Sequence, residues 1–316
     1  MIELAVSSHL NPAQHPSPSL SLRGDTWVGQ FQAMASPCEV LLEGVSQPLA
    51  AKLICRAAEE AWRIEHKFSR YRGDNLLHAI HQSAGKPVEV DEEMARLLDY
   101  AAHCFELSDG LFDVTSGVLR KVWRFDGSDR LPEPGEVAKV LPYVGWQRLS
   151  WQAPYICLKP GMEIDLGGIG KEYAVDRTLV CLMEMVPEKA SGALGVLVNY
   201  GGDIACAGER SNGGPWSIGV ESPIHQNSPI QTLSLTQGGV ATSGDTHRFL
   251  QKNGVRYSHI LDPRDGWPVK HAPHTVTVIA QSCTLAGMLA TFAMLQGEEA
   301  ENFLAAQPAI RYWVQR

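Results

Sequence analysis

Apolar residues recur every three or four positions from Pro48 to Arg72, at Leu49, Leu53, Ile54, Ala57, Ala61, Ile64 and Phe68. This spacing predicts an amphipathic helix that stops before Gly73, with Glu59, Glu60 and Glu65 mostly off its apolar side. A second helical stretch runs through Met94, Leu97, Leu98, Ala101 and Phe105, with Asp91 placed to cap its start. Shorter signals predict a helix over Asn75–Ala84 and a strand over Pro87–Val90. Phe31–Glu43 reads as two strand segments around a small-residue turn, and Val144–Leu158 as two short strands around Ala153-Pro154. Further along, Leu194–Asn199 reads as a buried strand, Trp216–Glu221 and Gln231–Thr236 alternate as half-buried strands, and Thr275–Ala280 is β-branched. Ser282–Gly297 reads as a closing helix, with Ala286, Leu289, Ala290, Ala293 and Met294 available for packing.

Other stretches carry weaker patterns. Residues 1–25, rich in proline, serine and histidine, read as a loose N-terminal arm, which leaves 26–316 as a single domain or two intimate halves. Arg120–Pro142 is basic and aromatic, then rich in proline and glycine, and reads as a surface excursion. Pro187–Gly192 reads as a break. No period of about 20–50 residues repeats.

Composition narrows the function classes. Hydrophobic residues make up 44% and charged residues 20% of the 316, as in a globular protein, and no apolar run approaches the ~20 residues that cross a bilayer. The net charge of −8 disfavours nucleic acid and anionic membranes as partners. Seven cysteines, at 38, 55, 104, 157, 181, 206 and 283, lack metal-site spacing, and their odd count argues against a disulfide framework. A reducing, cytoplasmic setting is expected.

The densest candidate chemistry lies in Glu163–Asp176. A strand-like approach meets Asp165, then glycines at 167, 168 and 170, then Lys171, and a helical pattern follows from Tyr173 through Val180. Glycines at such a corner expose backbone N–H groups at the positive end of a helix dipole, where a phosphate can lie, and Lys171 adds a mobile charge. An ordinary tight turn with a solvated lysine fits the same residues. Ser108–Gly117 sets two acids and two hydroxyls around Phe112, which suits a small-molecule pocket and equally a capped helix connection. Glycine-acid corners recur after apolar segments, at Asp165-Leu-Gly-Gly and Gly201-Gly-Asp203, and Asp245 is a further loop acid. Tyr71 ends the first long helix, where it suits either a planar ligand or simple packing. His259, beside a turn in Ser-His-Ile-Leu-Asp-Pro, suits proton transfer near neutral pH or a structural hydrogen bond. No Gly-x-Ser-x-Gly is present, and no pair of carboxylates is singled out for glycosidase work. Acids, glycine turns and a lysine together favour a phosphorylated ligand held with a hard cation such as Mg²⁺.

Taken in order, six blocks resemble the ApbE-type FAD:protein FMN transferases. They are Ser-Asp-Gly-Leu-Phe-Asp-Val-Thr-Ser-Gly at 108–117, Asp-Leu-Gly-Gly-Ile-Gly-Lys at 165–171, Val-Asn-Tyr-Gly-Gly-Asp-Ile at 198–204, Ala-Thr-Ser-Gly-Asp at 241–245, Ser-His-Ile-Leu-Asp-Pro-Arg-Asp-Gly at 258–266 and Ala-Gly-Met-Leu-Ala-Thr at 286–291. The resemblance implies an α+β fold of antiparallel sheets and packed helices, related to the T-fold, with FAD in a central cleft. It implies Mg²⁺-dependent transfer of FMN from FAD to a threonine or serine of an acceptor flavoprotein, with release of AMP. Met34, Tyr71, Leu111, Phe112, Asp113, Asp165, Lys171 and Ile260 fall at flavin- or pyrophosphate-binding places. Gly168 falls at a backbone metal contact, Thr291 at a metal ligand, and His259 at the place of the base, with Lys171 assisting.

The chain departs from the family pattern on its last helix, where an aspartate is usual one turn before the threonine. Here that position is Gly287, and a hard cation is weakened by loss of an anionic ligand. Water, FAD phosphates, Asp165 or Asp245 are the candidates to compensate, and Gly287→Asp is expected to strengthen Mg²⁺ binding. Without compensation the chain would be an FAD-binding module or an FAD pyrophosphatase. Gly170 and Glu172 also replace the commoner alanine and glycine of the corner.

Overall fold

The computed structural model describes residues 2–4, 15–126, 128–186, 194–221, 229–245 and 248–316. Nine strands form one antiparallel sheet: β1 (Ile2–Glu3), β2 (Ser19–Arg23), β3 (Thr26–Ala33), β4 (Ser36–Glu43), β5 (Gly195–Tyr200), β6 (Asp203–Ala207), β7 (Gly238–Gly244), β8 (Thr275–Ala280) and β9 (Arg311–Gln315). They lie side by side in the order in which they occur along the chain. Side chains alternate between the two faces, as a pleated strand requires. Val196, Val198 and Tyr200 of β5 face one core, with Ala241, Val276 and Val278, whereas Leu197, Val240 and Ile279 face a second.

The first core is covered by helices. α1 (Gln47–Phe68) lies against β3, α5 (Gly170–Glu184) against β5 and β6, and α6 (Cys283–Leu295) against β7 and β8. α1 starts with Pro48 in its first turn and buries the predicted stripe Leu53, Ile54, Ala57, Ala61, Ile64 and Phe68. Each fully buried leucine or isoleucine contributes roughly 2 kcal/mol. α2 (Leu76–His81), α3 (Glu92–Leu107), α4 (Pro134–Val140) and α7 (Ala300–Ala305) complete the α-helices of the described residues. Asp91 caps α3 by accepting from the Met94 N–H, as its position predicts. The second core is closed by the hairpin Trp216–Glu221 and Pro229–Leu235.

Four expectations differ from what is found. Ser19–Arg23, assigned to a loose arm, pairs with β3 and buries Leu20 completely in the helix-side core, while Leu22 stays exposed, so the pairing and the burial of one leucine outweigh the freedom of a coil. Arg120–Pro142 is a surface excursion only in part: Arg124, Asp126 and residues 128–130 are exposed, but Trp123 is buried, donates to the Gly266 carbonyl and stacks on Phe125, forming a third core with Val118, Leu119 and Leu250. Trp146–Arg148 turns as 3₁₀ rather than extending, and only Ser150–Gln152 and Tyr155–Cys157 are strands there. Glu60 is buried on α1 because Arg56, Arg63 and Arg177 surround its carboxylate. The break assigned to Pro187–Gly192 lies outside the described residues.

Candidate functional site

The corner before α5 is built by hydrogen bonds to its own acid. Asp165 accepts from the Gly167 N–H at 2.9 Å and from the Arg70 guanidinium, while its N–H donates to the Val114 carbonyl at 2.8 Å. Ile169 and Gly170 both donate to the Leu166 carbonyl. Three of the amides expected to cradle a phosphate are thus used within the turn, and α5 begins at Gly170, three residues before its predicted start. Arg70 was not foreseen in the sequence. It sits at the end of α1, ion-paired with Asp165, with its charge over the Tyr71 ring at 4.9 Å. Tyr71 itself is 79% exposed.

Beyond the corner, Lys171 Nζ lies 2.6 Å from Asp203 Oδ2. Burial alone would lower the lysine, but the carboxylate facing it more than reverses this and holds the ammonium charged. Asp203 is itself buried, which lifts its carboxyl above the usual range despite Lys171 and a hydrogen bond from the Thr242 backbone. The next residue on β7, Ser243, accepts from Thr291 Oγ1 at 3.4 Å. Thr291 lies one turn beyond Gly287 on α6, so both share a helical face.

The register of that face is set by Asp176. Its carboxylate accepts from the Cys283 and Thr284 N–H groups at 2.9 and 2.8 Å and from Thr284 Oγ1, capping α6 from α5. Gly287 is thereby pressed against Glu172: a Cβ at 287 would lie 2.6 Å from Glu172 Cγ and 2.9 Å from Oε1. The expected gain of a ligand by Gly287→Asp therefore meets an occupied space. Glu172 Oε2 is shut away from solvent without a hydrogen-bond partner. Burial, then the nearby Asp203 charge, pushes this carboxyl up to about 8.

The remaining candidates divide between the helix-side core, which Phe112 and Met34 join, and the edge of the third core, where His259 meets Phe125 with ring centroids 6.1 Å apart. Phe112 packs 3.4 Å from where a Cβ on Gly168 would lie and 5.7 Å from the Phe292 ring, next to Thr291. Leu111 and Ile260 are buried in the helix-side core. Met34 sits at the β3–β4 turn with φ of 52°, a conformation that costs on the order of 1 kcal/mol for a side-chain-bearing residue. Its neighbour Ser36 lies against Gly201, whose missing Cβ would be 3.8 Å from Lys171 Nζ. Asp113 is buried, and its carboxylate is taken up by Thr115 N–H, Thr115 Oγ1 and Trp146 N–H, so it braces the pocket wall. His259 Nδ1 lies 3.1 Å from the Arg248 carbonyl. A carbonyl only accepts, so the proton is on Nδ1 and the lone pair on Nε2. Burial lowers the imidazole below its ordinary value.

The two acids suggested to compensate for Gly287 are committed elsewhere. Asp165 pairs with Arg70, and Asp245 with Arg256 and His274. No group of three or more His, Cys, Asp or Glu side chains gathers for a metal among the described residues. The oxygens offered along this face of α6 are the Thr291 and Ser243 hydroxyls, 3.4 Å apart, and Glu172 Oε2, whose side chain lies beside Gly287 one turn away. That set fits a hard cation completed by ligand phosphates and water, and does not fit a soft metal.

Comparison with known proteins gives a consistent picture. The model of the ApbE family matches residues 34–313. A Vibrio cholerae FAD:protein FMN transferase is 31% identical over 242 residues, 75% of this chain and 71% of the relative. One from Haemophilus influenzae is 28% identical over 249 residues, 75% and 70% of the two chains. Among solved structures, the ApbE protein of Thermotoga maritima superposes with a TM-score of 0.81 at 30% identity, covering 92% of this chain and 94% of that one.

Proposed function

The chain belongs to the ApbE family, and from that premise we propose that it transfers FMN from FAD to the hydroxyl of a threonine or serine on an acceptor flavoprotein, releasing AMP in the cytoplasm. The observation that carries this reading is convergence. Motif blocks far apart in the chain meet through Phe112 against Gly168, Lys171 on Asp203, Thr242 on Asp203 and Ser243 on Thr291.

Each residue then has a chemical task. Phe112, Leu111, Ile260, Met34 and the exposed Tyr71 ring offer apolar and aromatic surface to the isoalloxazine. Lys171, held charged by Asp203, neutralises the pyrophosphate. His259 Nε2 takes the proton of the acceptor hydroxyl as that oxygen attacks the FMN phosphorus. The bond from phosphorus to the oxygen bridging to AMP breaks in line, and AMP leaves with the electron pair. Mg²⁺, held by Thr291 and the Gly168 carbonyl, would neutralise charge on the bridging phosphates.

The test is incubation of the purified protein with FAD, Mg²⁺ and an acceptor polypeptide bearing an exposed threonine. Gain of one FMN by the acceptor, with one AMP released, supports transfer. Free FMN with AMP and an unmodified acceptor would replace this reading by hydrolysis, and bound flavin with neither product would replace it by binding alone.

A further inference from the structure

Among the described acids of the site, Glu172 keeps a buried carboxylate oxygen with neither a hydrogen bond nor an ion pair, whereas Glu163 is held by Arg120 and Lys121. Asp165 is engaged by Arg70, Asp203 by Lys171, Asp245 by Arg256, and Asp176 by the start of α6. Glu172 Oε2 has no partner although it is closed off from water. A buried polar atom left bare is costly and uncommon, so an orphan of this kind asks for an occupant. Its location selects the occupant. Lys171 precedes it but is directed to Asp203, and Glu172 instead lies over Gly287, one turn from the Thr291 hydroxyl. A carboxylate, two hydroxyls and a backbone corner make an oxygen-only donor set.

Resting on the metal-assisted reading above, we propose that Glu172 is the anionic metal ligand of this site, reaching from α5 into the space that Gly287 leaves open on α6. The pairing is reciprocal: a side chain at 287 would collide with Glu172, and without Glu172 the face of α6 carries no carboxylate at this level.

The test is titration of the full-length protein with Mn²⁺ in the presence of FAD, following free Mn²⁺ by electron paramagnetic resonance. Glu172→Gln keeps the shape of the side chain and removes its charge, and it is expected to weaken Mn²⁺ binding by about tenfold or more. Glu172→Gly should do the same, and adding Gly287→Asp to it should restore affinity to within about threefold of the parent. Unchanged affinity in Glu172→Gln, or no Mn²⁺ binding by the parent, overturns the assignment. A folded double variant that binds no better than Glu172→Gly overturns it as well. FMN transfer measured in parallel separates this inference from the reaction: Glu172-dependent Mn²⁺ binding without transfer overturns only the transferase reading. Mg²⁺-dependent transfer with Mn²⁺ affinity indifferent to Glu172 overturns only the ligand assignment.

Discussion

Lys171 and Asp203, on α5 and at the start of β6, face each other at 2.6 Å with the carboxylate buried and the ammonium partly open to solvent. The geometry fixes a cation at the mouth of the site without leaving it free to swing away. Lys171→Met should lower stability by about 1–3 kcal/mol, because it leaves Asp203 without its counter-charge. It should also weaken FAD binding about tenfold. Urea unfolding and flavin fluorescence titration check the two effects separately, and an unaltered FAD affinity would remove Lys171 from the pyrophosphate site.

His259→Asn should reduce transfer by roughly 10²- to 10⁴-fold while changing FAD affinity little, as removal of a general base does. The pH profile follows from the imidazole. Only the neutral form is a base, and burial lowers its folded pKa below the ordinary 6.5, so it stays active into more acidic solution. The acid limb of kcat/KM against pH should therefore have its midpoint below 6.5 in the parent and vanish in the variant. A midpoint above that value contradicts the assignment.

Gly117 allows Asp165 to pass close by: a Cβ there would lie 2.3 Å from Asp165 Cβ. Gly117→Ala should displace Asp165 and its Arg70 partner, costing about 1–3 kcal/mol and weakening FAD binding together. Thermal unfolding with and without FAD reads both.

Glu93, on α3, gathers Arg63, Lys67 and the Tyr173 hydroxyl. Burial alone would raise its pKa, but these donors outweigh it and hold the carboxyl well below its ordinary 4.5. A depressed folded pKa stabilises the fold above the unfolded value, and that contribution is lost as pH falls through the folded one. Glu93→Gln should thus be less stable than the parent at pH 7, with the gap narrowing steadily below 4.5. Denaturant midpoints across that range check it.

The sequence was informative where one local rule governed the outcome. The α1 stripe, the Asp91 cap and the alternating strands follow from periodicity and side-chain chemistry, and the ordered motif blocks pointed to the family. Periodicity did not reveal the burial of Glu60, because three arginines arrive from both α1 and α5. Nor did it reveal Arg70 on Asp165, since the two are far apart in the chain. Glu172 and Gly287 could each be seen as a departure, but their contact depends on Asp176 fixing the register of α6 against α5, which only the packed helices display. Trp123 was misplaced for a related reason: its partners Gly266 and Trp267 lie far downstream.

Strands β4 and β5 are adjacent in the sheet, pairing from Cys38–Tyr200 to Glu43–Gly195, yet residues 44–194 run between them. Arg70, Phe112, Asp165, Lys171 and Glu172 arise within that excursion, whereas Asp203, Ser243, His259 and Thr291 come after it. During translation the ribosome delivers one wall of the pocket well ahead of the other, and domains of this size fold as units once their parts are present. The Ser243–Thr291 contact therefore cannot form until α6 has left the exit tunnel, and a transcript cut short before residue 283 encodes a pocket that lacks Gly287 and Thr291 while keeping the other residues of both walls.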